Sequence, residues 1–590
     1  MDVKRRDRIA QWAYDTRPIL GRFHLWLDDV DHRVLVGDGE NGSPSFVGPA
    51  LERAMVVAAA VTALGTRLFG RYGEGRGQDK AGINRVKKDA DAVSAYALSE
   101  ALWYLSRNLP EGHAILVSLG EGLMPKAGET PEMGSNPLLG FGRVYARPQV
   151  ARFLDRRVHR LINDPEYGWD GFWGEVQERG LTVWGAAIDT LENTSRFAKG
   201  SPSGPMTILH LFDQPLAVVA PYEGYVGTLV LPREVVERAA RRSLLLSYRT
   251  PRSLVLEALA EVYPDVPRER VHVWTLGGAS RQERLGRLWE EWRQLGAHVV
   301  EDGWPVPGGG PAFTESGTYA PMSRVGPFTD DRGDRHLFLC DGYAASAEAI
   351  QGASLDPILG THTAMCLFSS RFAAPHDRER EVMALDPESP GFDEALAEAL
   401  GEAYRPELVA GYRRSIVEAR RAGLPVELPI LSVDDFFPAK QWRVLAVAGY
   451  MLPDPYSGCP GVEEAGPDRW RVTVRAATKQ RVTESCLTLR LMEPLAESRL
   501  VFLPLLDRFY AGEDWRSRPV KISDSGRIRN ELQTLASEAL EHFGEGGVRV
   551  RFDRIEPEVL PPDKQRLIRQ VLEWYKENHP IWFRWLDIAG

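Results

Sequence analysis

The sequence predicts an α/β protein: a mainly parallel sheet with flanking helices, followed by a C-terminal α+β domain. Three observations predict it. Residues 271–350 hold a strand–helix–strand pattern, several apolar strands elsewhere end in an acid and a glycine, and the texture of the chain changes near residue 425.

The 271–350 stretch carries the most information. Residues 271–276 (VHVWTL) form a short apolar run closed by Gly277-Gly278, as a buried strand should be. Ser280 and Glu283 have capping-box spacing. Leu285, Leu288, Trp289, Trp292 and Leu295 then recur at helical steps. Gly296 ends the helix, residues 297–300 form the next strand, and Glu301-Asp302-Gly303 stops it. Short joins between these elements read as a right-handed βαβ unit, hence a parallel sheet. Residues 336–339 read as a further buried strand closed by Cys340-Asp341-Gly342, and residues 344–350 as a helix.

In the order of the chain, residues 50–69 read as a buried helix, 85–106 as a long helix, and 113–119 as a strand ended by Gly120-Glu121-Gly122. Residues 147–162 read as a basic helix and 206–212 as a strand closed by Asp213. A loop-then-strand at 221–231 and helices at 234–246 and 253–262 lead into the βαβ stretch. Residues 392–423 are helical and charged; strands at 442–449, 470–476 and 486–491 and helices at 528–543 and 565–577 follow. A run of strands and then helices suggests a separate α+β unit. The expected organisation is a helix-rich α/β region over 1–200 with Gly-rich loops, an α/β core over 201–380, a helical linker over 381–425 and an α+β domain over 426–590. Residues 1–50 show little regular pattern beyond an aromatic start.

At 590 residues the chain is too long for one hydrophobic core. Its 43% hydrophobic and 26% charged composition is that of a globular protein. The net charge of -10 argues against binding nucleic acid by broad phosphate neutralisation. The basic start MDVKRRDRIAQWAYD lacks a following apolar core, so no signal peptide is expected. No apolar run approaches the ~20 residues of a membrane span. Cys340, Cys366, Cys459 and Cys486 show no CxxC spacing and read as reduced thiols of a cytoplasmic protein.

In open α/β sheets, ligands bind beyond the carboxyl ends of the strands. Gly277, Gly278, Ser280 and Arg281 would sit there, with free helix-start amides and a guanidinium for an anion such as phosphate. Glu121, Asp302 and Asp341 also follow apolar strands, and carboxylates grouped at one edge would suit Mg²⁺ or Mn²⁺. Asp and Gly favour turns for backbone reasons as well, which is the competing explanation. Only eleven of the 72 basic side chains are Lys, so Lys80 and Lys126 stand out in their Gly-rich loops, as a phosphate contact and a catalytic amine. His362 and Tyr343 complete the acid–base candidates with Asp341.

GxxxxGK[ST], GxGxxG after the best strand, GxSxG and HExxH are all absent from the sequence, which disfavours P-loop, dinucleotide, α/β-hydrolase and zincin chemistry. The expectation is therefore a cytoplasmic enzyme acting on a small phosphorylated, sugar-phosphate-like substrate with divalent-metal assistance, by phosphoester hydrolysis, aldol-type cleavage or isomerisation. One alternative is a metal-dependent sugar isomerase on an unphosphorylated substrate, in which His362 joins the acids. The other is a non-catalytic oligomeric scaffold or ligand-binding protein. No nucleic acid or membrane partner is expected, and a homo-oligomer is, because soluble assemblies are commonly symmetric.

Overall fold

The computed structural model describes residues 3–23, 25–37, 48–120, 139, 142–164, 166–215, 225–276, 282–309, 313, 319–322, 324–345, 352–354, 356–368, 378–421, 442–454, 458–491, 548–551, 562 and 586–589. The chain divides into two compact units. The first comprises Met1–Ala217, Arg443–Asp454 and Cys459–Gly590, and the second Val218–Trp442 with Pro455–Gly458.

In the first unit, α1 (Val3–Arg22), β1 (Leu25–Val36), α2 (Pro49–Phe69), α3 (Lys80–Asn108), β2 (His113–Leu119) and β3 (Val144–Ala146) come first. They are followed by α4 (Pro148–Asn163), α5 (Trp169–Glu178), β4 (Thr182–Glu192), α6 (Thr194–Lys199) and β5 (Met206–Phe212). The second unit holds β6 (Tyr225–Pro232), α7 (Arg233–Ala240), α8 (Arg252–Val262), β7 (Val271–Leu276), α9 (Gln282–Gln294) and β8 (His298–Val299). It continues with α10 (Tyr319–Met322), β9 (Gly326–Thr329), β10 (Arg335–Ala345), α11 (Asp356–Leu359), β11 (Thr361–Phe368), α12 (Glu379–Ala384), α13 (Phe392–Leu400) and α14 (Val409–Arg421). The chain then returns to the first unit with β12 (Val444–Tyr450), β13 (Val462–Gly466), β14 (Arg469–Ala477), β15 (Val482–Leu491), β16 (Val548–Arg551) and β17 (Leu586–Ala589).

The first unit is built on a nine-stranded sheet ordered β1-β15-β14-β12-β5-β4-β2-β3, with β13 beside β14. Every pair in it is antiparallel except β2–β4. Helix α2 is apolar almost all round, and it is buried against α1, α3 and the sheet. Gly449 of β12 permits that approach, because a Cβ there would lie 2.7 Å from the carbonyl oxygen of Ala59 in α2. The second unit carries a six-stranded sheet ordered β11-β6-β10-β7-β8, with β9 beside β10. There β10–β7 and β7–β8 are parallel and the other pairs antiparallel. A short parallel pair, β16–β17, stands apart from both sheets.

This architecture corrects the expected fold class. The two large sheets are mixed and mostly antiparallel, not mainly parallel. The strand–helix–strand of β7, α9 and β8 is parallel, but it is one local unit inside a mixed sheet. The strands expected to form a C-terminal α+β domain belong instead to the N-terminal sheet, β12 pairing with β5 and β15 with β1. Alternation of apolar residues states that a segment is a half-buried strand. It carries no information on the direction or sequence distance of the partner.

Residues 1–50, where little pattern was expected, hold α1 and β1. The acids of β1 disguise it, and partners elsewhere in the first unit pair with them. Asp28 meets Arg469 at 3.0 Å and Arg490 at 3.2 Å, and Arg33 meets Glu484 at 2.5 Å. The strand expected at 336–339 extends over Arg335–Ala345, so Cys340-Asp341-Gly342 lies within β10 and residues 344–345 are strand rather than helix. The helices expected at 528–543 and 565–577 lie outside the described residues.

Candidate functional site

Strand alternation divides the second unit's sheet into two chemically different faces. On one, Val271 and Val273 of β7 and Leu337 and Leu339 of β10 pack with α7, α8 and α9. At the centre of this face, β10 presents Asp341, which is 0% exposed. Arg252, the first residue of α8, donates from Nε to Asp341 Oδ2 at 2.8 Å and from Nη2 to Oδ1 at 2.7 Å. Its Nη1 donates to the carbonyl oxygens of Tyr248 and Thr250 at 2.6 and 2.9 Å. Trp292 Nε1 of α9 donates to Asp341 Oδ2 at 2.8 Å, and Glu291 accepts the Arg252 backbone amide at 3.0 Å. A carboxylate so engaged is a structural anchor between β10, α8 and α9.

The opposite face of the same strands carries His272 and Trp274 of β7, His298 of β8, and His336 and Phe338 of β10. The register pairs His272 with His298 across β7 and β8. His336, one residue before the Leu337–Val271 pair, completes a row across three adjacent strands. His298 Nδ1 lies 3.0 Å from His272 Nδ1, and His272 Nε2 lies 2.9 Å from His336 Nδ1. His336 Nε2 faces Asp330 Oδ2 at 3.4 Å. Asp330 sits in the β9–β10 hairpin, where its Oδ1 accepts the backbone amides of Arg332 at 2.9 Å and Asp334 at 2.8 Å.

Aromatic rings cover the row. Trp304 lies 4.5 Å from the His272 ring and 5.1 Å from that of His298, and Phe328 stacks on His336 at 5.1 Å. The loop carrying Trp304 is held by mutual backbone bonds, Phe313 N to the Trp304 carbonyl and Gly303 N to the Phe313 carbonyl, both 2.7 Å.

One end of the row reaches solvent. A cleft of ≈ 490 Å³ is lined by Arg293, Ala297, His298, Val299, Glu301, Asp302, Gly303 and Trp304. His298 is half-buried there, and its Nε2 makes no hydrogen bond among the described residues. Arg293 pairs with Glu301 at 3.3 Å, and Asp302 is a second carboxylate in the lining.

Burial dominates the electrostatics of the row. It lowers the pKa of His272 to about 3, with the charges of His298 and His336 adding to the effect. Burial also lowers His298; there Glu301 opposes the shift and Arg293 adds to it. Asp330 is lowered too: burial pushes it up, but the two backbone amides and His336 outweigh that. Burial thus favours the neutral form of His272 and His298, and the row ends on an ionised carboxylate. Such an arrangement can pass a proton between the cleft and the hairpin.

The cluster lies at the amino ends of β7, β8 and β10, opposite to the carboxyl-end site that open α/β topology predicts. Of the nominated residues that the structure describes, Asp302 shares this cleft and the others do not line it. Asp341 is corrected from metal ligand and catalytic acid to the anchor just described, because both its oxygens are taken. Lys80 is the exposed first residue of α3, in the other unit, and its neighbour Asp79 caps that helix by accepting the Gly82 amide at 2.7 Å. His362 lies on the edge strand β11 opposite Leu231, away from the three-histidine row in strand order. Tyr343 pairs with Gly227 in β10, and its side chain is outside the described residues. Gly277, Gly278, Ser280, Arg281, Glu121 and Lys126 also lie outside them.

Among the described residues, no group of three or more His, Cys, Asp or Glu side chains is arranged to hold a metal ion. The imidazole nitrogens of the row point at one another in sequence rather than at a common centre. Among the described residues, no helix is long and apolar enough to cross a membrane.

Sequence reasoning passed over all three histidines, although a signal was present. VHV, AHV and RHL each place His between residues of the opposite face, at the start of three neighbouring strands. The chain matches no protein-family model and no curated protein.

Two outcomes are expected. Asp341→Asn, which keeps an amide oxygen for Trp292 but strands the Arg252 charge, should destabilise the second unit by about 3–5 kcal/mol in urea denaturation. A loss under about 1 kcal/mol would show that the pair is not an anchor. The second concerns pH. A histidine with a depressed folded pKa is protonated first in the unfolded state, so its stabilisation is lost as pH falls below about 6.5. Lowering pH from 7 to 4 should cost of order 3 kcal/mol at His272. His272→Phe should remove that part of the acid destabilisation, read as a flatter dependence of Tm on pH; an unchanged slope would show that His272 titrates normally.

Proposed function

We propose that the second unit is an acid–base enzyme module that binds a small polar molecule in the cleft and exchanges a proton with it at His298 Nε2. The observation that carries this reading is that His298 lines the cleft with Nε2 making no hydrogen bond among the described residues, while its Nδ1 meets His272 and, through it, His336 and Asp330. A lone solvated histidine would exchange protons with water. This one is backed by partners that redistribute the charge it takes up.

The charge of the cleft indicates the ligand. The lining holds two carboxylates, Glu301 and Asp302, and one guanidinium, Arg293, which favours a neutral or cationic molecule with an ionisable O–H or N–H over a phosphate ester. Trp304 offers an apolar wall for the carbon face of such a molecule. A phosphorylated substrate with Mg²⁺ or Mn²⁺ would need the cation to reverse that charge, and this makes the two substrate classes separable by experiment.

The test is a thermal-shift titration of the full chain with neutral sugars and polyols, amines, and sugar phosphates, the last with and without Mg²⁺, beside the variant His298→Ala. A neutral or cationic ligand at a hundred times its Kd should stabilise by roughly 2.7 kcal/mol, and His298→Ala should weaken that shift. A shift seen only with phosphorylated ligands and Mg²⁺ would overturn the ligand class argued from the cleft. No shift with any ligand would overturn the acid–base reading.

A further inference from the structure

The row of histidines has a direction, and Asp330 sets it. A neutral imidazole carries one N–H and one lone pair, so in a hydrogen-bonded row the choice at one ring dictates the next. With all three rings neutral, two orders satisfy both ring–ring contacts. In the first, His298 Nδ1 donates to His272 Nδ1, His272 Nε2 donates to His336 Nδ1, and His336 Nε2–H faces Asp330. In the second every donor is reversed, His298 carries its proton on Nε2, and the lone pair of His336 Nε2 faces Asp330.

An ionised carboxylate only accepts, so the second order sets a lone pair against a negative oxygen. The hairpin holds Asp330 in its ionised form through the amides of Arg332 and Asp334, and it places Oδ2 towards His336 at 3.4 Å. Asp334 is paired with Arg270 at 2.9 Å, and at the far end Glu301 is paired with Arg293.

We infer that Asp330 is a positioning residue that selects the tautomers of His336, His272 and His298 in turn, so that His298 presents a lone pair, not a proton, to the cleft. His298 then enters each encounter as a base. A proton taken up at Nε2 can be passed by releasing the Nδ1 proton to His272, and so on until the positive charge sits on His336 beside Asp330. No bond other than N–H changes, and the net result is one proton added to the row. The role in catalysis rests on the acid–base reading above; the tautomer order does not.

The substitution Asp330→Asn makes the order testable with little change of shape. Its amide oxygen can keep the Arg332 and Asp334 amides, which turns the NH₂ group towards His336 Nε2 and demands a lone pair there. The order should reverse along the whole row. Nitrogen-15 spectra of the histidine-labelled full chain at neutral pH, with His298 assigned by its loss in His298→Ala, should show His298 protonated at Nδ1 in the natural protein and at Nε2 in Asp330→Asn. Diethyl pyrocarbonate, which attacks an unprotonated ring nitrogen, should acylate His298 at least about tenfold more slowly in Asp330→Asn.

His298 protonated at Nε2 in the natural protein, or the same His298 tautomer in both proteins, would overturn the inference. The order holding while no ligand binds the cleft would leave the directed row standing and remove only its catalytic use. Ligand binding with the order absent would do the reverse.

Discussion

The second unit depends on the bidentate ion pair between Arg252 and Asp341. With exposures of 3% and 0%, neither charge can be left alone. An isolated charge in such a position costs several kcal/mol, and each guanidinium nitrogen and both carboxylate oxygens are accordingly satisfied. The anchor ties the start of α8 and the middle of α9 to the centre of β10 on one face of the sheet. Because strand side chains alternate, the same residues of β10 and β7 that fill this helix-covered face leave His336 and His272 to the other. The polar row is thus a consequence of where the apolar and ion-paired contacts were made.

The two faces solve the problem of buried polarity differently. On the helical face an ion pair is buried whole. On the other, three imidazoles are hydrogen-bonded to one another, with burial favouring the neutral form of His272 and His298 and a carboxylate at the margin. A neutral row costs less to bury than a charged one and keeps the ability to accept a proton. That ability is what links this part of the fold to an acid–base role, and Trp304 and Phe328 contribute by excluding water from the rings. The cleft at His298 is where the row can meet another molecule.

Much of the secondary structure was legible locally. The strands at 113–119, 206–212 and 271–276 and the apolar helix α2 are bounded in the sequence by glycine, proline or acid, and the structure has them there. Asp341 was misread for a physical reason. Cys-Asp-Gly looks like the turn that ends a strand, but a buried arginine lets β10 run through it. The strand β1 was missed because its aspartates hide the alternation, and the arginines that pair with Asp28, Arg469 and Arg490, lie more than four hundred residues away in sequence. The histidine row was within reach, since three strand starts each carry a His out of phase with the aliphatic residues. The local pattern pairs β7 with β8, but it does not state that β10 lies on the other side of β7.

The sequence by itself determined where most helices and strands of the described residues lie, which of their faces are apolar, and that P-loop, dinucleotide and zincin motifs are absent. These follow from side-chain type and period, which act over a few residues. Outside the β7–α9–β8 unit, only the tertiary structure decided which strands pair and in which direction, that the C-terminal strands complete the N-terminal sheet, that Asp341 is consumed by Arg252, and that three histidines meet. Those outcomes are set by contacts between segments far apart in the chain, and whether a carboxylate is an anchor or a reactive group is a property of its partners.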